Sequence, residues 1–209
     1  MDLNEPITVE MSNGETKSIT LTENDVPTYV QQLAKLAEAY NLLKRYEGHN
    51  IEVSPISENV AGYNINISPS QFTYQVKYFN YDTKNPLNSY ADLTINIISE
   101  ISNEAQGIIK CSSQNGKLMY DTNTAEIIGN ATLQCKGSVT VEGKTYPVSG
   151  PLNAKIIIDP NNIDWQQASI NGADVIVDGT LTVDAGEYGM FDLPINFNEP
   201  GIILSPSNQ

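Results

Sequence analysis

Carboxylate and amide side chains lie close together in the segment DPNNID at residues 159–164. Proteins bind calcium through oxygen ligands of this kind, and two more aspartates follow on a predicted strand. The candidate calcium ligands are Asp159, Asn161, Asp164, Asp174 and Asp178. The segment lacks the glycine and the terminal glutamate of an EF-hand loop. Two interpretations therefore stay open, a calcium site and an acidic face exposed to water.

The two cysteines, Cys111 and Cys135, each take an inward position on a predicted strand. If the strands follow one another in order, the strand predicted at residues 118–120 lies between them. Their Cα atoms would then be too far apart for a bond within one sheet, and a disulfide would have to join opposite sheets. Two buried free thiols are the alternative, whereas a disulfide would fit the secreted character of the composition.

Tyr81 and Trp165 are the aromatic residues that we expect to form a contact surface for a ligand or a partner. The alternation along the strand that contains Phe72 places Tyr78 on the inner face. Phe79 and Tyr81 are out of phase with Tyr78, so we expect both to be exposed. Most other tyrosines fall on predicted inner faces, where they pack in the core with their hydroxyls at its rim.

No arrangement typical of catalysis is present in the sequence. His49, the only histidine, follows Gly48 in a polar stretch, and we interpret it as a solvated loop residue rather than a general base. The Gly-x-Ser-x-Gly, Gly-x-Gly-x-x-Gly and His-Glu-x-x-His motifs are missing, and three Cys and His residues in total are too few for a typical zinc site. We therefore predict that the protein is not an enzyme, with a hydrolase that pairs carboxylates through its fold as the remaining alternative.

The first fifty residues predict a hairpin followed by a helix. Ile7, Val9 and Met11 alternate with polar residues, Asn13-Gly14 favours a tight turn, and the alternation resumes after it, through Ile19 and Leu21. Apolar residues then recur at the helical period, which predicts one amphipathic helix over about residues 26–46 with a single apolar stripe.

From about residue 51 to residue 209 the apolar residues alternate with a period of two, which predicts an antiparallel β meander. Within it, GSVTVEGKTY at 137–146 and GTLTVDAGEY at 179–188 repeat at an offset of 42 residues. We infer a duplicated long hairpin over residues 131–158 and 173–198. The fold class predicted is mainly β (α+β): an antiparallel β-sandwich or a curved, barrel-like sheet with one helix packed on it, in a single domain of residues 1–209.

Details of the two hairpins follow from the same pattern. The alternation places Leu133 and Val141 of the first copy and Val175 and Val183 of the second copy on the inner face. A four-residue loop from Glu142 to Thr145 would place Val141 opposite Tyr146, which also faces inward. The return strand of the second copy has the opposite parity, which predicts a bulge or a longer loop near Gly189. Gly137 and Gly179, in the middle of their strands, predict a bend or a close approach of a neighbour.

Charge and composition exclude some classes of function. Lys and Arg number 11 against 25 Asp and Glu, and a net charge of -14 would repel nucleic acid. Only 17% of the residues are charged, which is typical of secreted, periplasmic, cell-surface, virion or filament proteins. No apolar run approaches membrane-spanning length and no leader opens the chain, so we expect a soluble protein that either has no leader or has lost one.

The leading functional expectation is a non-catalytic extracytoplasmic β domain with a structural, adhesive or protein-interaction role. It would bind a protein partner or assemble with itself, and the strand at residues 7–11 could extend a neighbouring sheet. The alternative is a carrier of an apolar small molecule in a cavity of the curved sheet, plugged by the helix. We expect no cofactor other than calcium at the candidate site. A filled inner face would favour the first hypothesis and a void would favour the second.

Overall fold

Most of the described chain is β-strand, as the period of two predicts. A computed structural model describes residues 7–19 and 28–206, and it contains two antiparallel sheets and one α-helix in those residues. The predicted mainly β class with a helix packed on a sheet is therefore confirmed.

The small sheet is the predicted N-terminal hairpin. It pairs β1 (Ile7–Glu10) with β2 (Thr16–Ile19) around a turn at Asn13 and Gly14. Met11 also forms a parallel bridge to Phe79 of the large sheet, which ties the hairpin to the core. The predicted continuation of this hairpin at residue 21 lies outside the described residues.

The helix, α1 (Thr28–Arg45), agrees with the prediction of about 26–46, whose first two residues lie outside the described part of the chain. The expectation of a single apolar stripe is wrong. Nearly every side chain from residue 33 to residue 43 is buried, because small residues on the remaining faces let other elements approach closely. Ala34, Ala37 and Ala39 are completely buried. The helix contacts β1, β4, β7 and β11, so it is enclosed rather than laid on one surface.

The large sheet has ten strands, numbered β3 to β12 in chain order. They are β3 (Ile56–Val60), β4 (Tyr63–Asn80), β5 (Tyr90–Asn103), β6 (Gln106–Ser113), β7 (Gly116–Asp121), β8 (Glu126–Val141), β9 (Lys144–Ile158), β10 (Ile163–Asp164), β11 (Ser169–Asp184) and β12 (Met190–Leu204). Short 3-10 helices lie at Pro86–Asn88, Pro160–Asn162 and Gly186–Tyr188. The spatial order is β3, β4, β5, then β6 with β7, then β8, β9, β11 and β12, with the short β10 paired to the start of β11, and this is the predicted antiparallel meander.

Strands β6 and β7 share one position in the sheet, between β5 and β8. On β5, Asn96 pairs with Ser112 and Leu93 pairs with Gly116, so β6 and β7 contain one residue more than the opposing stretch of β5. An extra residue of this kind is a β-bulge, and Asn115 within it has a φ of 64°. The two strands are thus halves of one interrupted strand.

This interruption explains why Cys111 and Cys135 form a disulfide within the sheet. β6 lies directly beside β8, the two cysteines are register partners, and their Sγ atoms are 2.10 Å apart. Their Cα atoms are 4.1 Å apart, close to the spacing of directly opposed residues in antiparallel strands. The expectation that residues 118–120 separate the cysteines is wrong, because those residues continue the same strand position beyond the bulge.

The duplicated hairpins are β8 with β9 and β11 with β12, as predicted. The corresponding residues Leu133 and Val175, and Val139 and Leu181, are all buried on the inner face. Both mid-strand glycines mark close approaches. A Cβ on Gly137 would lie 2.1 Å from the Ile108 carbonyl oxygen, and one on Gly179 would lie 2.9 Å from a Leu152 methyl group.

The turns of the two hairpins differ. In the first, Glu142 and Gly143 form a two-residue turn with φ of 50° and 79°, Val141 pairs with Lys144, and Tyr146 pairs with Val139. The predicted four-residue loop is therefore two residues too long. Tyr146 still points inward, because a register shift of two residues keeps each side chain on the same face of the sheet. In the second, residues 185–189 join Asp184 to Met190, which confirms the longer loop near Gly189.

The large sheet curls so that its edge strands β3 and β12 contact each other. The segment at residues 50–54 reinforces this junction. Asn50 Oδ1 accepts a hydrogen bond from Phe72 N at 2.6 Å, and Ser54 N donates to the Glu199 carboxylate. The inner face of the curl holds the hydrophobic core, and the outer face carries the alternating polar residues.

Candidate ligand-binding pocket

An apolar pocket of about 400 Å³ opens at one end of the curled sheet, and we call it the tip pocket. Its walls come from the strand ends next to the turns of the β3–β4, β5–β6, β8–β9 and β11–β12 hairpins. Its lining residues are Val60, Ala61, Tyr63, Ile65, Ile101, Ala105, Val139, Val141, Glu142, Lys144, Tyr146, Val183, Ala185, Tyr188, Phe191 and Leu193. The helix contacts β4 at Tyr74 and Phe79, whereas Tyr63 and Ile65 near the other end of β4 line the pocket, so the expectation that the helix plugs the cavity is wrong.

Element lengths explain why this end is hollow. The helix has 18 residues and is about 27 Å long. Strands β4, β8, β9, β11 and β12 have 15 to 18 residues and extend about 50 Å. The helix therefore cannot cover the whole inner face, and the apolar side chains beyond it surround a space instead of a partner element.

The two copies of the repeat supply opposite parts of the wall. Val141 and Val183 are equivalent in the repeat and both line the tip pocket. Tyr146 and Tyr188 are equivalent as well, although Tyr188 lies in the longer turn and is 59% exposed. The sequence pattern predicted inward positions for Val141, Tyr146 and Val183, but it contained no signal that these positions surround a space.

Polar side chains gather at the mouth of the tip pocket. The Glu142 carboxylate lies close to the Tyr63 side chain. Burial against the lining, and then the nearby Glu142 charge, raise the pKa of Tyr63. On the other side of the mouth, Lys144 Nζ lies 5.8 Å from the centroid of the Tyr188 ring. The mouth thus combines phenol groups, one carboxylate and one ammonium around an apolar interior.

The turns around the mouth are acidic. Glu104, Glu142 and Glu187 lie in three of the four turns, while Lys144 is the cation that lines the pocket. Glu104 is close enough to Tyr63 to act on its pKa together with Glu142. A ligand that reaches this end of the protein therefore meets a negative potential.

The predicted contact residues Tyr81 and Trp165 lie away from the tip pocket and from each other. Tyr81 is half-buried and packs against the core rather than being exposed as expected, and Lys17 Nζ lies 3.9 Å from its ring centroid. Trp165 is half-buried and lines a shallow polar hollow with Asn161 and Asp164, between β9 and β11. Both remain predictions as contact residues, and the structure does not combine them into one surface.

The expectation about neighbouring aromatics on β4 is wrong. Tyr78 is 41% exposed, whereas Phe79 is completely buried and packs edge-on against Tyr40 with ring centroids 6.1 Å apart. The cause is a register shift between Lys77 and Phe79, where Tyr78 adopts a φ of 43°. One extra residue at this point reverses which side chains face the core.

The candidate calcium ligands occupy two regions. Asp159 Oδ1 accepts a hydrogen bond from Asn161 N, and Asp164 Oδ1 accepts one from Gln167 N. Asp174 and Asp178 lie four residues apart on β11, about 13 Å in an extended strand, and Asp174 Oδ1 accepts a hydrogen bond from Gly201 N. Over residues 7–19 and 28–206 no group of three or more His, Cys, Asp or Glu side chains is placed to hold a metal ion. Calcium binding stays a prediction.

His49 and Glu38 are two further ionisable side chains that could take part in chemistry. His49 is half-buried after the helix, with its ring centroid 6.2 Å from that of Tyr46. Glu38 on α1 is 5% exposed, and burial raises its pKa from 4.5 to about 7. No signal in the sequence marked Glu38 as buried, because a polar residue within a helix ordinarily faces water. Neither group lines the tip pocket.

Comparison with known proteins gives no further guide to the site: no protein-family model, curated protein or solved structure matches the chain. Within the described residues, no helix combines the length and hydrophobicity of a membrane-spanning segment. Functional inference therefore depends on the shape and chemistry of the tip pocket.

Proposed function

We propose that this protein is a non-catalytic carrier that binds an apolar small molecule in the tip pocket. The observation that carries the proposal is the pocket of about 400 Å³, lined mainly by aliphatic and aromatic side chains. Small-molecule sites in proteins are concave, mostly apolar, of a few hundred Å³, and contain a small number of polar groups that orient the ligand. The tip pocket has each of these properties.

The construction of the pocket suits reversible binding. Its walls are strand ends that are paired by hydrogen bonds in antiparallel ladders. The positions of these walls therefore do not depend on a bound ligand. The elongated turn at residues 185–189 borders the mouth and exposes Tyr188. A rigid wall with one longer turn at its opening allows a ligand to pass without unfolding of the core.

We further propose that the carrier works outside the cytoplasm. The disulfide between Cys111 and Cys135 supports this location, because disulfides persist in oxidising compartments and are rare in the cytosol. The low fraction of charged residues points in the same direction.

A structural or adhesive role stays a hypothesis with less support. That hypothesis requires the strand at residues 7–11 to have a free edge that can pair with the sheet of a neighbouring molecule. β1 pairs with β2 along its length, and Met11 is bridged to Phe79. Light scattering after size exclusion would test assembly directly, and a strictly monomeric protein at high concentration would count against it.

Native mass spectrometry tests the carrier proposal. We expect protein purified without detergent to show species heavier than the 22.9 kDa chain, with the extra mass extractable into organic solvent. Protein stripped by that extraction and refolded should bind the uncharged fluorophore N-phenyl-1-naphthylamine with one site per chain. A chain that carries no extractable mass and also fails to bind the fluorophore would refute the proposal.

A further inference from the structure

We propose that the tip pocket prefers an amphiphile with a positively charged amine or quaternary ammonium head over one with a carboxylate head. This inference rests on the proposed carrier function and specifies the chemistry of its ligand. Three features of the mouth carry it: the tyrosine rings, the position of Lys144 and the placement of carboxylates.

The tyrosine rings provide the first argument. Tyr63, Tyr146 and Tyr188 all line the pocket, and they come from three different hairpins. The face of an aromatic ring carries partial negative charge, so rings grouped around a site attract ammonium groups. Proteins recognise quaternary ammonium ligands with aromatic groups of this kind.

Lys144 is a cation of the protein itself that lies beside one of these rings. Its Nζ lies 5.8 Å from the Tyr188 centroid, near the outer limit for such a contact. The Lys144 side chain is exposed and flexible, so it can swing into water when a ligand takes its place. The ligand ammonium would then occupy the position over the ring that the protein's own ammonium now approaches.

The carboxylates provide the third argument. Glu142 lines the mouth together with Tyr63, and Glu104 is close enough to act on the pKa of Tyr63. A carboxylate head would face Glu142 and Glu104 and could pair only with Lys144 among the lining residues, whereas an ammonium head would pair with Glu142. The net charge of -14 adds a long-range preference in the same direction.

The interior accommodates the remainder of such a ligand. Ile65, Ile101, Val139, Val183 and Leu193 line the pocket behind the mouth and carry no polar side-chain atoms. An alkyl chain is the group that fills an aliphatic space of this kind most favourably. The pocket therefore matches an alkyl chain inside and a cationic head at the mouth.

The inference is tested by competition between three dodecyl compounds at micromolar, monomeric concentrations. Dodecyltrimethylammonium, dodecanol and dodecanoate would each displace N-phenyl-1-naphthylamine from the purified protein at pH 7.5. We expect the ammonium compound to displace the fluorophore at concentrations at least tenfold lower than dodecanoate, with dodecanol between them. The ratio should shrink as salt is raised, because exposed charges are screened.

Two pocket variants and one control variant test whether Glu142 and Tyr188 cause the head-group preference. Glu142→Gln should reduce the ratio between the ammonium compound and dodecanoate at least threefold, and Tyr188→Leu should weaken binding of the ammonium compound more than it weakens binding of dodecanol. Glu100→Gln removes the same charge from the exposed outer face of β5 and should change neither value.

The outcomes separate the two proposals. Equal or tighter binding of dodecanoate, or an unchanged ratio in both pocket variants, would overturn the head-group preference while leaving the carrier function intact. If none of the three compounds displaces the fluorophore, or if the fluorophore does not bind, the carrier function itself is contradicted.

Discussion

Tyr74 and Leu43 connect the large sheet to the C-terminal end of the helix through a buried hydrogen bond: the Tyr74 hydroxyl donates to the Leu43 carbonyl oxygen at 2.8 Å. Burial raises the pKa of Tyr74, so its hydroxyl stays protonated and can donate throughout the working pH range. Tyr46 N also donates a hydrogen bond to the Leu43 carbonyl oxygen, at 3.1 Å, and would be its remaining donor without the Tyr74 hydroxyl. This contact holds the end of α1 against β4.

Loss of the Tyr74 hydroxyl should destabilise the protein measurably. Tyr74→Phe should lower the free energy of unfolding by about 0.5–1.5 kcal/mol, the usual value for one hydrogen bond whose acceptor keeps a second donor. Tyr78→Phe is the matched control, because Tyr78 is 41% exposed, and its effect should stay within about 0.5 kcal/mol. Urea unfolding followed by circular dichroism measures both, and equal effects would contradict the assigned roles.

The disulfide should contribute strongly to stability. Its cysteines are 24 residues apart in sequence, and closing a loop of this size restricts the unfolded chain enough to stabilise the fold by about 3 kcal/mol. Cys111→Ala with Cys135→Ala should therefore lower the free energy of unfolding by about 2–4 kcal/mol. The wild type should become less stable in reductant and the double variant should not. A wild type that is indifferent to reductant throughout unfolding would contradict this.

Glu38 should make stability depend on pH. Its pKa is about 7 in the folded protein against 4.5 for an ordinary glutamate, chiefly because burial disfavours the charged form. At a pH between these two pKa values, the Glu38 carboxyl loses its proton in the unfolded chain and keeps it in the folded chain. The unfolded state then binds fewer protons, so stability falls as pH rises from 4.5 to 7, and the full loss persists above 7.

The Glu38→Gln variant should remove that loss. We expect it to equal the wild type near pH 4 and to exceed it by about 1–3 kcal/mol at pH 8. Glu100→Gln, on the exposed outer face of β5, corrects for the general effect of removing one negative charge. Thermal or urea unfolding at several pH values measures the difference, and a constant difference between the two variants from pH 4 to pH 8 would show that the buried carboxyl does not have this role.

The alternation of side chains was sufficient to predict the main features of the fold. Strands that bury one face have apolar residues at every second position, so the sequence indicated two long hairpins and the inward positions of Leu133 and Val175. The strands extend beyond the predicted bounds of 131–158 and 173–198, because β8 begins at Glu126, β11 begins at Ser169 and β12 ends at Leu204. The first turn is two residues shorter than predicted. This difference did not change which side chains point inward, because a register shift of two residues keeps each side chain on the same face of the sheet.

Bulges explain most of the errors. A single extra residue at Tyr78 exchanged the positions of Tyr78 and Phe79, and another at residue 115 joined β6 and β7 in one strand position and brought Cys111 beside Cys135. No local pattern marks such insertions reliably, because they depend on what the neighbouring strands contact.

The tip pocket could not be predicted for a different reason. Whether an inward apolar residue meets another side chain or a space depends on the relative lengths of helix and strands and on how far the sheet curls. The sequence indicated that Tyr146 and Val183 point inward, but not that the helix stops short of them. The parity of the return strand predicted a longer turn near Gly189, but it did not indicate that this turn places Tyr188 at the mouth of a pocket.

The most direct measurement of the central claim is titration of the stripped protein with N-phenyl-1-naphthylamine, compared between Val183→Phe and Thr180→Phe. Val183 is buried and lines the tip pocket, whereas Thr180 lies on the exposed outer face of the same strand. With circular dichroism spectra unchanged in both variants, we predict one binding site per chain in the wild type and in Thr180→Phe. Affinity should be at least tenfold weaker in Val183→Phe, because the added ring fills the pocket. Equal binding by both variants would contradict a ligand site at the hairpin tips.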